Sequence, residues 1–292
     1  MHDVPAEVDA MLPEPHAINA SELLPGANVV FMTIDTLRYD VAVDALGQGM
    51  TPNLAKLMPG SAWQKRHSPG SFTYAAHQAF FAGFLPTPAQ PGVHTRLWAT
   101  RFEGSTTTSD TTFTVDAPDI VSGLAAHGYH TICIGGVGFF NKQTPLSCVL
   151  PDLFAESWWS PDLGVTCLES ARNQVSLAVE RLRSIPARQP VFLFINFSAC
   201  HQPNRFYLHG AVDDSVDSQQ AALAYIDSQL PPLLEALRAR GTWLAVVTSD
   251  HGTAYGEDGY SGHRLAHSIV WTVPYMEFVI NGGASRTAGG QA

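Results

Sequence analysis

Two short apolar runs end in aspartate. Residues 29–34, Val-Val-Phe-Met-Thr-Ile, run into Asp35, and residues 243–248, Trp-Leu-Ala-Val-Val-Thr, run into Ser249-Asp250-His251. Neither run alternates polar with apolar, so each reads as a strand covered on both faces. Such strands belong to parallel sheets with helices above and below. The runs at 131–134, 191–197 and 273–280 have the same character. Between them lie helical signals, so the chain reads as an α/β domain with a mostly parallel central sheet.

The helical signals are local. Thr51-Pro52 reads as an N-cap followed by proline in the first turn, opening a helix over 53–58. Ser71-Phe72-Thr73 opens a second helix with Ala75, Ala76, Ala79, Phe80 and Phe81 on its buried side, stopped by Gly83 and Pro86. Further helices are expected over 119–127 and 170–183. Another runs over 218–240, bent at Pro231-Pro232 and stopped by Gly241. Residues 86–117, rich in Thr, Ser, Pro and Gly, read as a long excursion near the site. Residues 1–27 read as a polar lead-in, 28–281 as one domain, and the Gly/Ser-rich 282–292 as a disordered tail.

Composition narrows the function classes. Charged residues are 14% against 45% hydrophobic, which rules out a disordered chain. The 16 Lys+Arg against 26 Asp+Glu, a formal charge of −10, argue against a nucleic-acid groove. A small anionic substrate remains compatible, because a bound metal ion can dominate a local field. The four cysteines form no C-x-x-C pair, which fits a cytoplasmic setting better than a disulfide scaffold. No apolar run approaches the roughly 18 residues of a membrane helix. So low a charged fraction also leaves room for a protein interface, including a homodimer.

In parallel sheets ligands gather beyond the carboxyl ends of the strands. That rule selects Asp35, Asp250 and His251, with His201 just past the strand at 191–197. Thr73 opens a helix, where free backbone N–H groups favour an anion. Asp, Asp, His and a threonine oxygen form a mixed O/N set suited to Zn²⁺ or Mn²⁺. A plainer reading makes the aspartates caps and Thr73 an N-cap hydroxyl.

Several ordered segments resemble the alkaline phosphatase superfamily, in its sulfatase-like hydrolase branch. They are IDTLRYD, TPNLAKL, SFTYAAHQAFFAGFLP, GYHTICIG, the long ALAYIDSQLPPLLEALRARGTWLAVVTSDHG and GEDGYSGHRLAHSIVWTVP. The resemblance implies a three-layer sandwich about the parallel sheet. It places Asp35, Thr73, Asp250 and His251 on one metal site, with Thr73 as ligand and nucleophile. His201 and His263 fall on positions that contact the substrate or a second metal. The implied activity is a metal-dependent phosphodiesterase or phospho-group transferase acting on a small phosphoester. Alternatives are a sulfate-ester or phosphonate-monoester hydrolase, and a non-catalytic scaffold that keeps the fold.

The departures matter as much. Formylglycine sulfatases need Cys or Ser followed by x-Pro-x-Arg, but Tyr74-Ala75-Ala76-His77 follows Thr73. The Gly-Lys-x-His of calcium sulfatases is replaced by Gly135-Gly136-Val137-Gly138. Relatives with two zinc ions carry an aspartate where this chain has Phe197, which leaves a second site incomplete. Outside this set, His77 reads as a helix-packing residue, with a supporting role behind the ligands as the alternative, and Arg38 as a partner of Asp40 or a nearby acid. Glu257 reads as a support for a ligating histidine or a solvated acid.

Overall fold

The computed structural model describes residues 18–24, 26–83, 98–99, 103–104, 113–114 and 119–283. Its main sheet has seven strands: β1 (Asn28–Ile34), β2 (Gln64–His67), β3 (His130–Ile134), β4 (Glu156–Trp158), β5 (Val191–Phe197), β6 (Trp243–Thr248) and β7 (Thr272–Ile280). The order across the sheet is β2-β7-β6-β1-β5-β3-β4. The run from β6 to β4 is parallel throughout, and β7 is antiparallel to both β6 and β2. The expected α/β architecture with a mostly parallel sheet is what the chain adopts.

Six helices cover the sheet: α1 (Tyr39–Gly47), α2 (Thr73–Ala82), α3 (Ile120–Ala126), α4 (Ser170–Ser184), α5 (Val216–Gln229) and α6 (Pro231–Arg240). The period-2 alternation of each strand divides its side chains between two cores. Val30, Met32 and Ile34 of β1 join Leu193 and Ile195 of β5 and the apolar faces of α1, α4, α5 and α6. Val29 and Phe31 face the other way, toward Phe192 and Phe194, and meet Phe81 of α2 and Val121 of α3. Each fully buried aliphatic or aromatic side chain is worth about 1.5–3 kcal/mol, so a strand clad on both sides has no solvent-facing alternative register.

The helix expected over 53–58 is a single turn, Pro52–Ala55, and its cap is not the one the sequence suggests. The Thr51 side chain makes no capping bond, and its buried hydroxyl has no partner. Asp227 of α5 does the capping, accepting from Leu54 N at 2.7 Å, Asn53 N at 3.1 Å and Asn53 Nδ2 at 3.0 Å. The helix expected over 218–240 is two helices that meet at Leu230, because Pro231 and Pro232 have no N–H to continue the first. Strands β2 and β4 were not expected. Most of the 86–117 excursion lies outside the described residues, though Trp98–Ala99 pairs in parallel with Phe113–Thr114. Most of the lead-in, residues 1–17 and 25, and the tail beyond 283 also lie outside them.

Asp227→Ala should leave the N–H groups of Asn53 and Leu54 buried without acceptors. We expect a loss of about 2 kcal/mol in urea unfolding at unchanged m-value. A loss below about 0.5 kcal/mol would mean that Thr51 takes over the cap.

Candidate metal centre

Strands β1 and β6 are neighbours in parallel, with Thr33 opposite Thr248. The chain leaves both at the same end of the sheet, which sets Asp35 beside Asp250 and His251. All three are completely buried. Helix α2 points its first residue, Thr73, at the same place. Phe72, not Thr73, is the N-cap, and it makes no side-chain cap bond. The threonine hydroxyl is therefore free of capping duty. It lies 3.3 Å from Asp35 Oδ2 and 3.4 Å from His251 Nε2.

Each of the three buried groups keeps one electron pair uncommitted. Asp250 Oδ1 accepts from the backbone N–H of Thr36 at 3.1 Å and of His251 at 3.0 Å, while Oδ2 has no hydrogen-bond partner. Asp35 Oδ2 accepts from Asn196 Nδ2 at 3.1 Å, while Oδ1 has none. His251 Nδ1 lies 2.8 Å from the Gly252 carbonyl, which can only accept. Nδ1 therefore carries the proton, and Nε2 presents a lone pair. One donor atom from each of Asp35, Asp250 and His251 lies within 4.8 Å of the other two. Orphaned buried carboxylate oxygens converging on an imidazole lone pair and a hydroxyl fit a divalent cation, and two negative charges match its charge.

The electrostatics agree. Burial, and then the charge of Asp250, push the Asp35 carboxyl up to about 7. Burial pushes Asp250 up to about 7 as well. Burial holds His251 below the ordinary imidazole value. Two acids reluctant to ionise side by side are what such a site looks like without a cation between them.

The remaining predicted residues stand around this group. The His263 ring centroid is 4.5 Å from that of His251 and 5.8 Å from that of His201. His263 Nδ1 is buried without a partner, and burial pushes its pKa down to about 3. All six residues picked from the sequence thus lie at one end of the sheet. Arg38 is paired as expected, with Asp40 at 2.5 Å and with Glu257. Glu257 accordingly supports no histidine; it is spent on Arg38 and on Tyr255 N.

Three residues near the centre escaped the sequence reading. Asn196 sits inside an otherwise apolar strand, and Thr33 sits inside β1. Both carried a signal in being polar within a covered run. The third is Arg264, whose φ of 70° is unusual for a side chain of its size. Its N–H donates to Ser71 O at 2.8 Å, and its guanidinium lies over the Phe72 ring at 5.2 Å. That places a cation beside the start of α2, and its charge also bears on His251 and His263.

Comparison with known proteins now has a site to attach to. The sulfatase family profile matches residues 27–280. The chain belongs to the sulfatase family. No curated protein matches it at a significant level. Among solved structures, the C-terminal periplasmic domain of phosphoethanolamine transferase EptC from Campylobacter jejuni superposes with a TM-score of 0.58. Identity is 15%, over 87% of this chain and 79% of that one. The lipoteichoic acid synthase LtaP from Listeria monocytogenes gives 0.56 at 13% identity, over 87% of this chain and 65% of that one. The C-terminal periplasmic domain of EcEptC from Escherichia coli, in complex with Zn, gives 0.57 at 13% identity, over 87% and 72%. These likenesses establish a shared alkaline phosphatase-type fold.

A zinc ion held here would have to displace protons from two carboxyls that burial pushes up to about 7. Its affinity should therefore hold above pH 7 and weaken by at least about tenfold between pH 7.5 and 5.5. Competition with a chromophoric chelator reads this directly. A flat profile would place the zinc on other ligands.

Proposed function

We propose that this protein is a metal-dependent phosphoester hydrolase or phospho-group transferase with Thr73 as its nucleophile. The observation that carries the proposal is the Thr73 hydroxyl. It caps nothing and lies within 3.4 Å of both Asp35 Oδ2 and His251 Nε2. Asp35, Asp250, His251 and Thr73 would hold the metal, with Zn²⁺ or Mn²⁺ suiting their O/N donors. Bound there, a divalent ion would supply the positive charge that lowers the hydroxyl pKa and offsets the phosphoryl oxygens.

The residues do the rest. Thr73 Oγ1 gives up its proton to water and attacks phosphorus in line, forming an O–P bond as the bond to the leaving alcohol breaks. This leaves the phosphoryl group on Thr73. The first N–H groups of α2, which have no intrahelical acceptor, face the phosphoryl oxygens. Neutral His263 orients the group by hydrogen bonding. His201 delivers the proton to the leaving oxygen and then takes one from the water or alcohol that resolves the phosphothreonine.

The formylglycine nucleophile of sulfatases is excluded on sequence, since Thr73 is not a Cys or Ser and lacks the following x-Pro-x-Arg. Phosphoethanolamine transferases and a lipoteichoic acid synthase among the structural neighbours support phosphoester chemistry over sulfate chemistry.

With zinc or manganese added, Thr73→Ala should lower hydrolysis of a bis-aryl phosphodiester by at least about 10³-fold and keep the bound metal. Thr73→Ser should retain measurable turnover. An alanine variant as fast as wild type ends the assignment. Faster turnover of an aryl sulfate than of the diester would move the substrate class to sulfate esters.

A further inference from the structure

Behind the metal ligands lies a chain of hydrogen bonds whose direction can be deduced link by link. His77 is fully buried, one turn after Thr73 on α2. Its ring makes edge contacts with Phe80, Phe140 and Phe194 at centroid distances of 5.3–5.6 Å. Asp250 Oδ2 lies 3.7 Å from Nδ1, beyond hydrogen-bond reach, and a charged imidazole fully buried in this cage is unfavourable, so the ring is neutral. Its Nδ1 lies 2.7 Å from the Thr73 carbonyl, which can only accept. The proton is therefore on Nδ1, and Nε2 must accept. The partner of Nε2, at 3.0 Å, is the Thr33 hydroxyl, which therefore donates its single proton to His77. Thr33 Oγ1 is left only lone pairs, and these meet Asn196 Nδ2 at 3.1 Å.

Asn196 is fixed from the other side as well. Val137 N donates to its Oδ1 at 3.3 Å, which decides the amide orientation. One hydrogen of Nδ2 then goes to Thr33 and the other to Asp35 Oδ2. The chain thus ends as a donor to one oxygen of Asp35, and Oδ1 stays without a partner.

Resting on the metal centre proposed above, we infer that Asn196, Thr33 and His77 are positioning residues. Together they hold Asp35 by one oxygen, so that the other is presented as a single ligand atom. The same chain begins at the Thr73 carbonyl, so it fixes the ligand and the nucleophile's backbone relative to each other. None of the three touches the substrate. Their effect is on how tightly the ion is held. Loss of partners that orient ligands commonly weakens metal affinity by about 10–100-fold.

The experiment measures zinc affinity at pH 7.5 by chelator competition, alongside the melting temperature of the metal-free proteins. Thr33→Val keeps shape and volume but removes the hydroxyl. It should weaken zinc about tenfold while the metal-free melting temperature moves by only a few degrees, and Thr33→Ser should restore the affinity. Asn196→Ala, which removes the donor itself, serves as the second variant and should weaken zinc at least as much. A folded Thr33→Val or Asn196→Ala protein that binds zinc within twofold of wild type overturns the inference and leaves the metal centre standing. A wild-type protein that binds no zinc or manganese overturns both. Histidine ¹⁵N NMR checks the deduced direction independently. The resonance lost in His77→Phe should be that of an Nδ1–H tautomer, and an Nε2–H tautomer would break the chain at its first link.

Discussion

Two carboxylates are buried side by side in this protein with no cationic side chain between them. Removing even one such charge from water costs several kcal/mol unless it is compensated. Compensation here is half complete by construction. Asp250 has one oxygen saturated by two backbone N–H groups, and Asp35 has one oxygen held by Asn196. Arg38, buried among the described residues, is committed to Asp40 and Glu257. The unspent oxygens, with the His251 lone pair, call for a positive charge that no described side chain supplies. That requirement explains why strand ends, loop and helix terminus converge where they do.

The two-core sandwich makes the convergence rigid. Phe31 and Thr33 lie on the same face of β1, two residues apart. One packs against Phe194 and the other bonds His77. On β5, Phe194 and Asn196 repeat the pattern, aromatic first and polar second. Helix α2 follows suit, with Phe81 in the aromatic core and His77 one turn nearer the site. Along all three elements the same face turns from apolar to polar as it nears the carboxyl end of the sheet. Packing fixes the helix at one end, and hydrogen bonds aim it at the other.

The sheet was legible because burial on both faces leaves an unmistakable trace. The runs at 191–197 and 243–248 are strands at those limits. Strand β2, Gln-Lys-Arg-His, was not legible, because it is an exposed edge whose residues bear no apolar pattern. The Thr51 cap failed for a different reason. Local propensity offered a hydroxyl, and a carboxylate from α5 reached the same N–H groups. The candidate ligands could be picked out because strand ends are where such sheets bind. Asn196 could not, since a strand of six apolar residues and one asparagine reads simply as core. The clue lay in the exception, because a polar side chain within a covered strand must find partners, and those partners lead to the site.

The glycines at 135 and 136 and the Val137–Asn196 hydrogen bond are connected. The segment Gly135-Gly136-Val137-Gly138 stands where calcium sulfatases carry a lysine and a histidine, with Gly136 at the lysine. A Cβ on Gly136 would lie 2.3 Å from the Asn196 carbonyl oxygen and 2.8 Å from the Ser198 side chain. A Cβ on Gly135 would lie 2.1 Å from that of Phe140. No lysine fits at 136 while the backbone passes this close to β5. That close passage is also what brings Val137 N to Asn196 Oδ1. At Gly138 a Cβ meets nothing nearer than 3.8 Å, so the histidine position is sterically open while the lysine position is closed. What the loop offers β5 is a backbone donor, Val137 N, to the Asn196 side chain. Arg264, laid over Phe72 beside the nucleophile, is the described cation with no ion pair of its own there.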